Sequence, residues 1–135
     1  MQARTTAGSI MDEGGQAVAD AMDSVILRYG KLEAAAVAGE LRCLTFDGVE
    51  IVRGLNAPLR DENWGVVEIE TVLEGATGHS YRRRFRGKVA PVLGSFSVEM
   101  TNERELRAHF SLEALEAVFL NRAGLTLLHP IKEVA

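Results

Sequence analysis

The sequence predicts an all-β domain, an antiparallel β-sandwich of short hairpin-connected strands behind a loosely ordered N-terminal arm. Three observations carry that expectation. From Val25 onward the apolar residues recur with a period of two, the spacing of half-buried strands. Turn-forming stretches, Asp47-Gly48 and Gly75-Ala76-Thr77-Gly78 among them, punctuate these segments. No strand–helix–strand alternation runs through the series, which argues against a parallel sheet.

With 135 residues, 47% of them apolar and 25% charged, the chain has the length of one domain and enough apolar material for a core. The formal net charge is −4 and both signs are spread along the chain, which argues against a nucleic-acid partner. Cys43 is the sole cysteine, so no internal disulfide forms, and a small buried hydrophobe is its expected role. No apolar stretch reaches the ~18 residues of a membrane span, and the N-terminus lacks the basic-then-apolar order of a signal peptide. Cytoplasmic residence away from membranes is therefore the expectation.

Residues 1–24 are rich in Ala, Gly, Ser, Thr and Asp and read as the arm, with Gln16–Met22 long enough for one or two marginal helical turns. Residues 25–135 form the sandwich. Val25–Tyr29 and Leu32–Ala38 are its first strands. Leu41–Phe46 and Val49–Val52 flank Asp47-Gly48, the strongest local hairpin signal. In the next segment Val67, Ile69, Thr71 and Leu73 share one face and Glu68, Glu70 and Glu74 the other. Beyond the glycine-rich turn, Tyr81, Phe85 and Val89 alternate with Arg82, Arg84, Arg86 and Lys88. A three-residue loop sets Glu70 opposite Arg82 and Glu68 opposite Arg84; a five-residue loop moves each glutamate to the next arginine. The run Arg82-Arg83-Arg84 thus reads more simply as a charge-paired, solvated sheet face than as a polyanion site.

Gly94–Thr101 and Arg104–Ala114 make a further hairpin turning at Asn102-Glu103, with Leu106, Ala108, Phe110, Leu112 and Ala114 inward. A helix over 111–120, capped by Ser111, competes with the end of that strand. The alternation begins before Ser111 and runs through it, which favours the strand. Asn121–Gly124 reads as a loop, Leu125–Leu128 as a short buried strand, and His129-Pro130 ends it.

Phosphate loops, dinucleotide turns, nucleophile elbows and metal-spaced Cys/His clusters are absent, so neither a metal nor a cofactor is expected. His79, His109 and His129 are far apart in sequence. The segment Arg60-Asp61-Glu62-Asn63-Trp64-Gly65 places charged and amide groups beside the sole tryptophan, a combination that suits a sugar: the indole stacks on the ring while the polar groups bond its hydroxyls. The plainer reading is a loop whose Trp64 plugs the end of the sandwich while Asp61 and Asn63 cap turns.

Two stretches, LRCLTFDGVEIVRGLNAPLRDENWG (41–65) and NRAGLTLLHP (121–130), resemble the N-terminal β-rich region of the D-apionate lactonase family, bacterial enzymes of apiose catabolism that open a sugar lactone to its aldonic acid. The resemblance covers roughly residues 25–135 and matches at Arg60, Asp61, Asn63, Trp64 and Gly65, then at Asn121, Arg122, Gly124, His129 and Pro130. It implies a piece of a longer enzyme whose β-domain joins a larger barrel-like domain bearing the catalytic carboxylates. A looser likeness to aldose epimerase sandwiches exists through strand order and the sugar-suited loop alone. If this domain borders the active site, His129 is the candidate base and Arg60 or Arg122 the candidate oxyanion partner. Arg60, Asp61, Asn63, Trp64 and Asn121 are the candidate substrate-binding residues. The alternatives are a non-catalytic carbohydrate-binding module and a structural module that packs on a missing C-terminal domain or on a second copy of itself.

Overall fold

The computed structural model describes residues 24–130 and is an antiparallel β-sandwich, with no helix among those residues. The expected arm, apart from Ser24, and the short helix at Gln16–Met22 lie outside the described residues. Strands β1 (Val25–Tyr29), β2 (Leu32–Val37), β3 (Glu40–Phe46) and β4 (Val49–Asn56) form three successive hairpins with two-residue links. Ala38-Gly39 and Asp47-Gly48 both take positive φ at each position, the primed turn that matches strand twist. Strand β11 (Thr126–Leu128) joins β4 to complete a five-stranded sheet ordered β1-β2-β3-β4-β11.

The second sheet is a meander of β6 (Ile69–Ala76), β7 (Ser80–Gly87), β8 (Val92–Asn102) and β9 (Glu105–Ala114). A short ribbon pairs β5 (Leu59–Asp61) with β10 (Leu120–Ala123). The core lies between the sheets: Leu27, Leu32, Ala34, Ala36, Leu41, Leu44 and Leu55 from the first meet Tyr81, Phe96, Val98 and Met100 from the second. The two-residue period delivers these residues to one side of each strand, and their burial is the main driving force.

Several details differ from the sequence reading. Cys43 is exposed, because it is the extra residue of a bulge where β3 passes β2, with φ +56°. The β6–β7 register sets Glu70 opposite Arg86, two or four positions beyond the expected partners. A bulge at Val72 then turns Leu73 to the outer face, opposite Arg84, so the strand's apolar set does not share one side. Val89 is 94% exposed, since β7 ends at Gly87 and the chain turns before it can face inward. Of the basic stripe, Arg86 forms an ion pair with Glu70 at 2.6 Å; Arg82, Arg84 and Lys88 form none among the described residues.

The strand reading of Ser111 holds. Ser111 pairs with Ser95, their hydroxyls lie 2.8 Å apart, and β9 runs to Ala114. The segment read as a loop at Asn121–Gly124 instead contributes to β10 through its pairing with β5. Strand β11 forms where expected but is not buried: it is an edge strand, and Leu127 and Leu128 are both about half exposed.

Candidate functional site

The segment singled out by its composition folds as a tight loop around one carboxylate. Residues 59–61 and 65–67 pair through the bridge between Arg60 and Val66, with Asp61 N–H donating to the Gly65 carbonyl (2.9 Å) and Val67 N–H to that of Leu59 (3.1 Å). Asp61 Oδ1 accepts from the backbone N–H groups of Asn63 and Gly65, both at 2.8 Å, and Trp64 N–H donates to the Asp61 carbonyl at 2.9 Å. The short acidic side chain is what permits this closure, as in other turns where Asp bonds backbone amides ahead of it.

Within this cage Trp64 is held at φ +63° and is 62% exposed. A non-glycine residue in that region costs of order 1–3 kcal/mol, offset here by the hydrogen bonds around Asp61. The indole does not plug the sandwich. It stands in solvent on a rigid turn, whereas the turn-capping role read for Asp61 is met by its Oδ1.

The ribbon brings the two sequence stretches together. Leu120 lies opposite Asp61 and Arg122 opposite Arg60, with Asn121 as the bulged residue between them. Asn121 Nδ2 donates to the Glu62 carbonyl at 2.8 Å, latching the outer shoulder of the loop. Arg122 Nη2 donates to Thr126 Oγ1 at 3.0 Å. Directly opposed arginines repel, and among the described residues neither Arg60 nor Arg122 forms an ion pair. The result is two guanidinium groups on adjacent strands of the ribbon that ends in the loop displaying Trp64, a setting suited to an oxygen-rich ligand.

His129 stands elsewhere. The β4–β11 pairing, Gly54–Asn56 against Leu128–Thr126, continues the ribbon along the same two stretches of chain, β4 preceding β5 and β11 following β10. His129 follows its far end, while the Trp64 loop closes the other. His79 is structural: its Nδ1 lies 2.8 Å from the Arg28 carbonyl and its ring packs 4.4 Å from that of Tyr29.

Sequence reasoning missed Phe119 and Val66 at this site. Phe119, read as part of a possible helix stripe, directly precedes β10 and is 64% exposed; Val66 is equally open. Their signal was available in the absence of any partner strand to cover them once β10 is paired with β5. Among the described residues no group of three or more His, Cys, Asp or Glu side chains is placed to hold a metal, and no helix is long and apolar enough to cross a membrane.

The family described as the D-apionate lactonase N-terminal domain matches residues 15–135. A D-apionate lactonase from Brucella anthropi is 28% identical over 119 residues, which covers 81% of this chain and 19% of that relative. The chain thus spans about a fifth of the relative's length. No solved structure matches.

Proposed function

Because the chain belongs to the D-apionate lactonase N-terminal domain family, we propose that it is the β-domain of a sugar-lactone hydrolase of the D-apionolactone-to-D-apionate type, inactive by itself. The observation that carries this reading is the ribbon, which joins both family-like stretches and sets Arg60, Arg122, Asn121 and Trp64 on one small element. In that role Trp64 stacks on the apolar face of a sugar ring and the neighbouring amide and guanidinium groups bond its oxygens.

Lactone opening needs a base to activate water and a donor to hold the oxyanion. On the ribbon, Arg60 and Arg122 are suited to the second task. For the first, the Asp61 carboxylate is committed to backbone amides and His129 lies at the other end of the ladder, which leaves Glu62, exposed on the outer shoulder of the loop, as its one free carboxylate among the described residues. An exposed carboxylate on a loop has nothing to hold it against a lactone carbonyl, so in this reading the acid–base group comes from the remaining length that the relative possesses and this chain does not span.

Hydrolysis of aldonolactones by this chain alone, and by a chimaera in which residues 15–135 replace the matching part of the Brucella anthropi relative, tests the proposal. Turnover by the chimaera and none by the chain is the expected result. Turnover by the chain alone would move the catalytic centre onto it, and a folded but inactive chimaera would remove the lactonase reading. The sugar contact has its own test in Trp64 fluorescence titrated with lactones. Trp64→Gly, which removes the fluorophore and is therefore followed by calorimetry, should abolish the heat of lactone binding while leaving stability unchanged or raised by up to about 1 kcal/mol, because glycine relieves the positive φ.

A further inference from the structure

The outer face of the second sheet carries a second polar site, built on other elements than the ribbon. Its rows follow from the register. Gly75, Arg82, Ser97 and His109 stand side by side across β6 to β9, and Leu73, Arg84, Ser95 and Ser111 form the adjacent row. Tyr81 and Phe85 face the core, so Arg82 and Arg84 between and beside them face outward. The central strand β8 presents short hydroxyl side chains, while the arginines on one side and His109 on the other are long. The face is therefore a trough with a serine floor and a basic rim.

Two further observations mark it as unfilled. On this face Arg86 is paired with Glu70, whereas Arg82 and Arg84, like Arg60, Arg83, Arg104 and Arg122 elsewhere, form no ion pair among the described residues, so both charges are available to a ligand. An open depression of about 540 Å³ lies at the Arg82 end, bordered by Gly75, Thr77, Ser97 and Glu99. A Cβ at Gly75 would meet nothing within 4 Å, so that end is open.

We propose that this trough binds a small polyhydroxy carboxylate, that is, a sugar acid. Arg82 and Arg84 hold the carboxylate and Ser95, Ser97, Ser111 and His109 bond the hydroxyls. Alternate residues on a strand are about 7 Å apart and the strands flanking β8 about 10 Å apart, so the frame has the size of one or two sugar units. Nucleic acid fits less well: the face carries no Phe, Tyr or Trp for a base to stack on, and Glu70, Glu99 and Glu113 stand at its margins against a phosphate chain. The site does not require the lactonase reading.

The test is a titration of the 135-residue chain with sodium gluconate and sodium galacturonate, each against its neutral counterpart, glucitol and galactose, followed by amide NMR shifts on β7 to β9. Both acids, or one of them, should bind and the neutral sugars should not; the pattern tells an open-chain acid from a ring acid. The double variant R82Q/R84Q should lose at least about tenfold in affinity through two charge-assisted contacts. Ser97→Val, which fills the trough without changing its charge, should weaken binding as well, whereas Arg53→Gln on the other sheet should bind like the parent. Equal binding of neutral sugars, unchanged affinity in R82Q/R84Q, no shift at tens of millimolar acid, or tighter binding of a single-stranded oligonucleotide would each overturn the proposal. Trp64 fluorescence reads the ribbon separately, so either site can fail without the other.

Discussion

Asp61 and Tyr81 show how much of this molecule rests on single polar atoms. Both amide bonds that close the Trp64 loop end on one oxygen of Asp61, Oδ1. An amide oxygen can accept the same pair, so Asp61→Asn should leave thermal stability within about 0.5 kcal/mol, while Asp61→Ala, which orphans both donors, should cost about 1–2 kcal/mol. Denaturant titration of the two variants separates an architectural carboxylate from one kept for its charge. Tyr81 is 1% exposed and its hydroxyl donates to the Glu74 carboxylate. Burial first, then that hydrogen bond, hold its ionisation well above the ordinary value of 10.0. A raised pKa means that the folded state keeps a proton the unfolded chain gives up. The contribution is therefore complete below about pH 10 and declines as pH rises beyond it, by up to about 1.4 kcal/mol per unit. Tyr81→Phe should lose about 1.5–3 kcal/mol at neutral pH with the bond to a charged group, and its stability should fall less steeply above pH 10.

At the level of strands and turns, the sequence was most legible where a local rule decided the outcome. Asp47-Gly48 takes the primed turn that its residue types favour, and the alternation through Ser111 held against a helix because Ser95 and its neighbours supply a ladder for it. Registers were less legible. The β6–β7 pairing depends on where the turn begins and on the bulge at Val72, and neither leaves a mark in an alternating pattern. The same gap hid Cys43, whose exposure follows from a bulge. Gly94 illustrates a constraint visible only after pairing. It lies opposite Phe85, and a Cβ there would run into the Phe85 ring, which itself stacks near Phe110 with centroids 6.5 Å apart. Gly94→Val, though favourable to a strand by propensity, should destabilise by about 1–3 kcal/mol through overpacking, as a lowered denaturation midpoint at unchanged m-value would register.

Across the whole molecule, the candidate site was half legible. The residue types of 60–65 pointed to a ligand-facing loop, but its union with β10 needed a long-range pairing that no short window contains, and the open trough on the second sheet came from a register the sequence left ambiguous. The unequal covering of the two sheets was not legible at all, because it depends on which strands end as edges. Strands β9 and β11 are both edges, and beside them a groove of about 190 Å³ is lined by Leu41, Leu44, Ile51, Leu55, Leu106 and Leu127. Leu127 pairs with buried Leu55 and so faces the same side, yet it is 47% exposed because the groove it shares with Leu106 is left open. An uncovered apolar groove between two free strand edges favours association. The isolated chain should therefore associate as its concentration rises, in sedimentation from micromolar to millimolar protein. Leu127→Ser should reduce that association while costing the fold no more than about 1 kcal/mol, since only half of the side chain is withdrawn from water. In the chimaera with the relative's remaining length, a covered groove would make the same substitution cost more, about 2 kcal/mol or above. A chain that stays monomeric throughout, with Leu127→Ser equally mild in both contexts, would mean that this side of the sandwich is simply solvated.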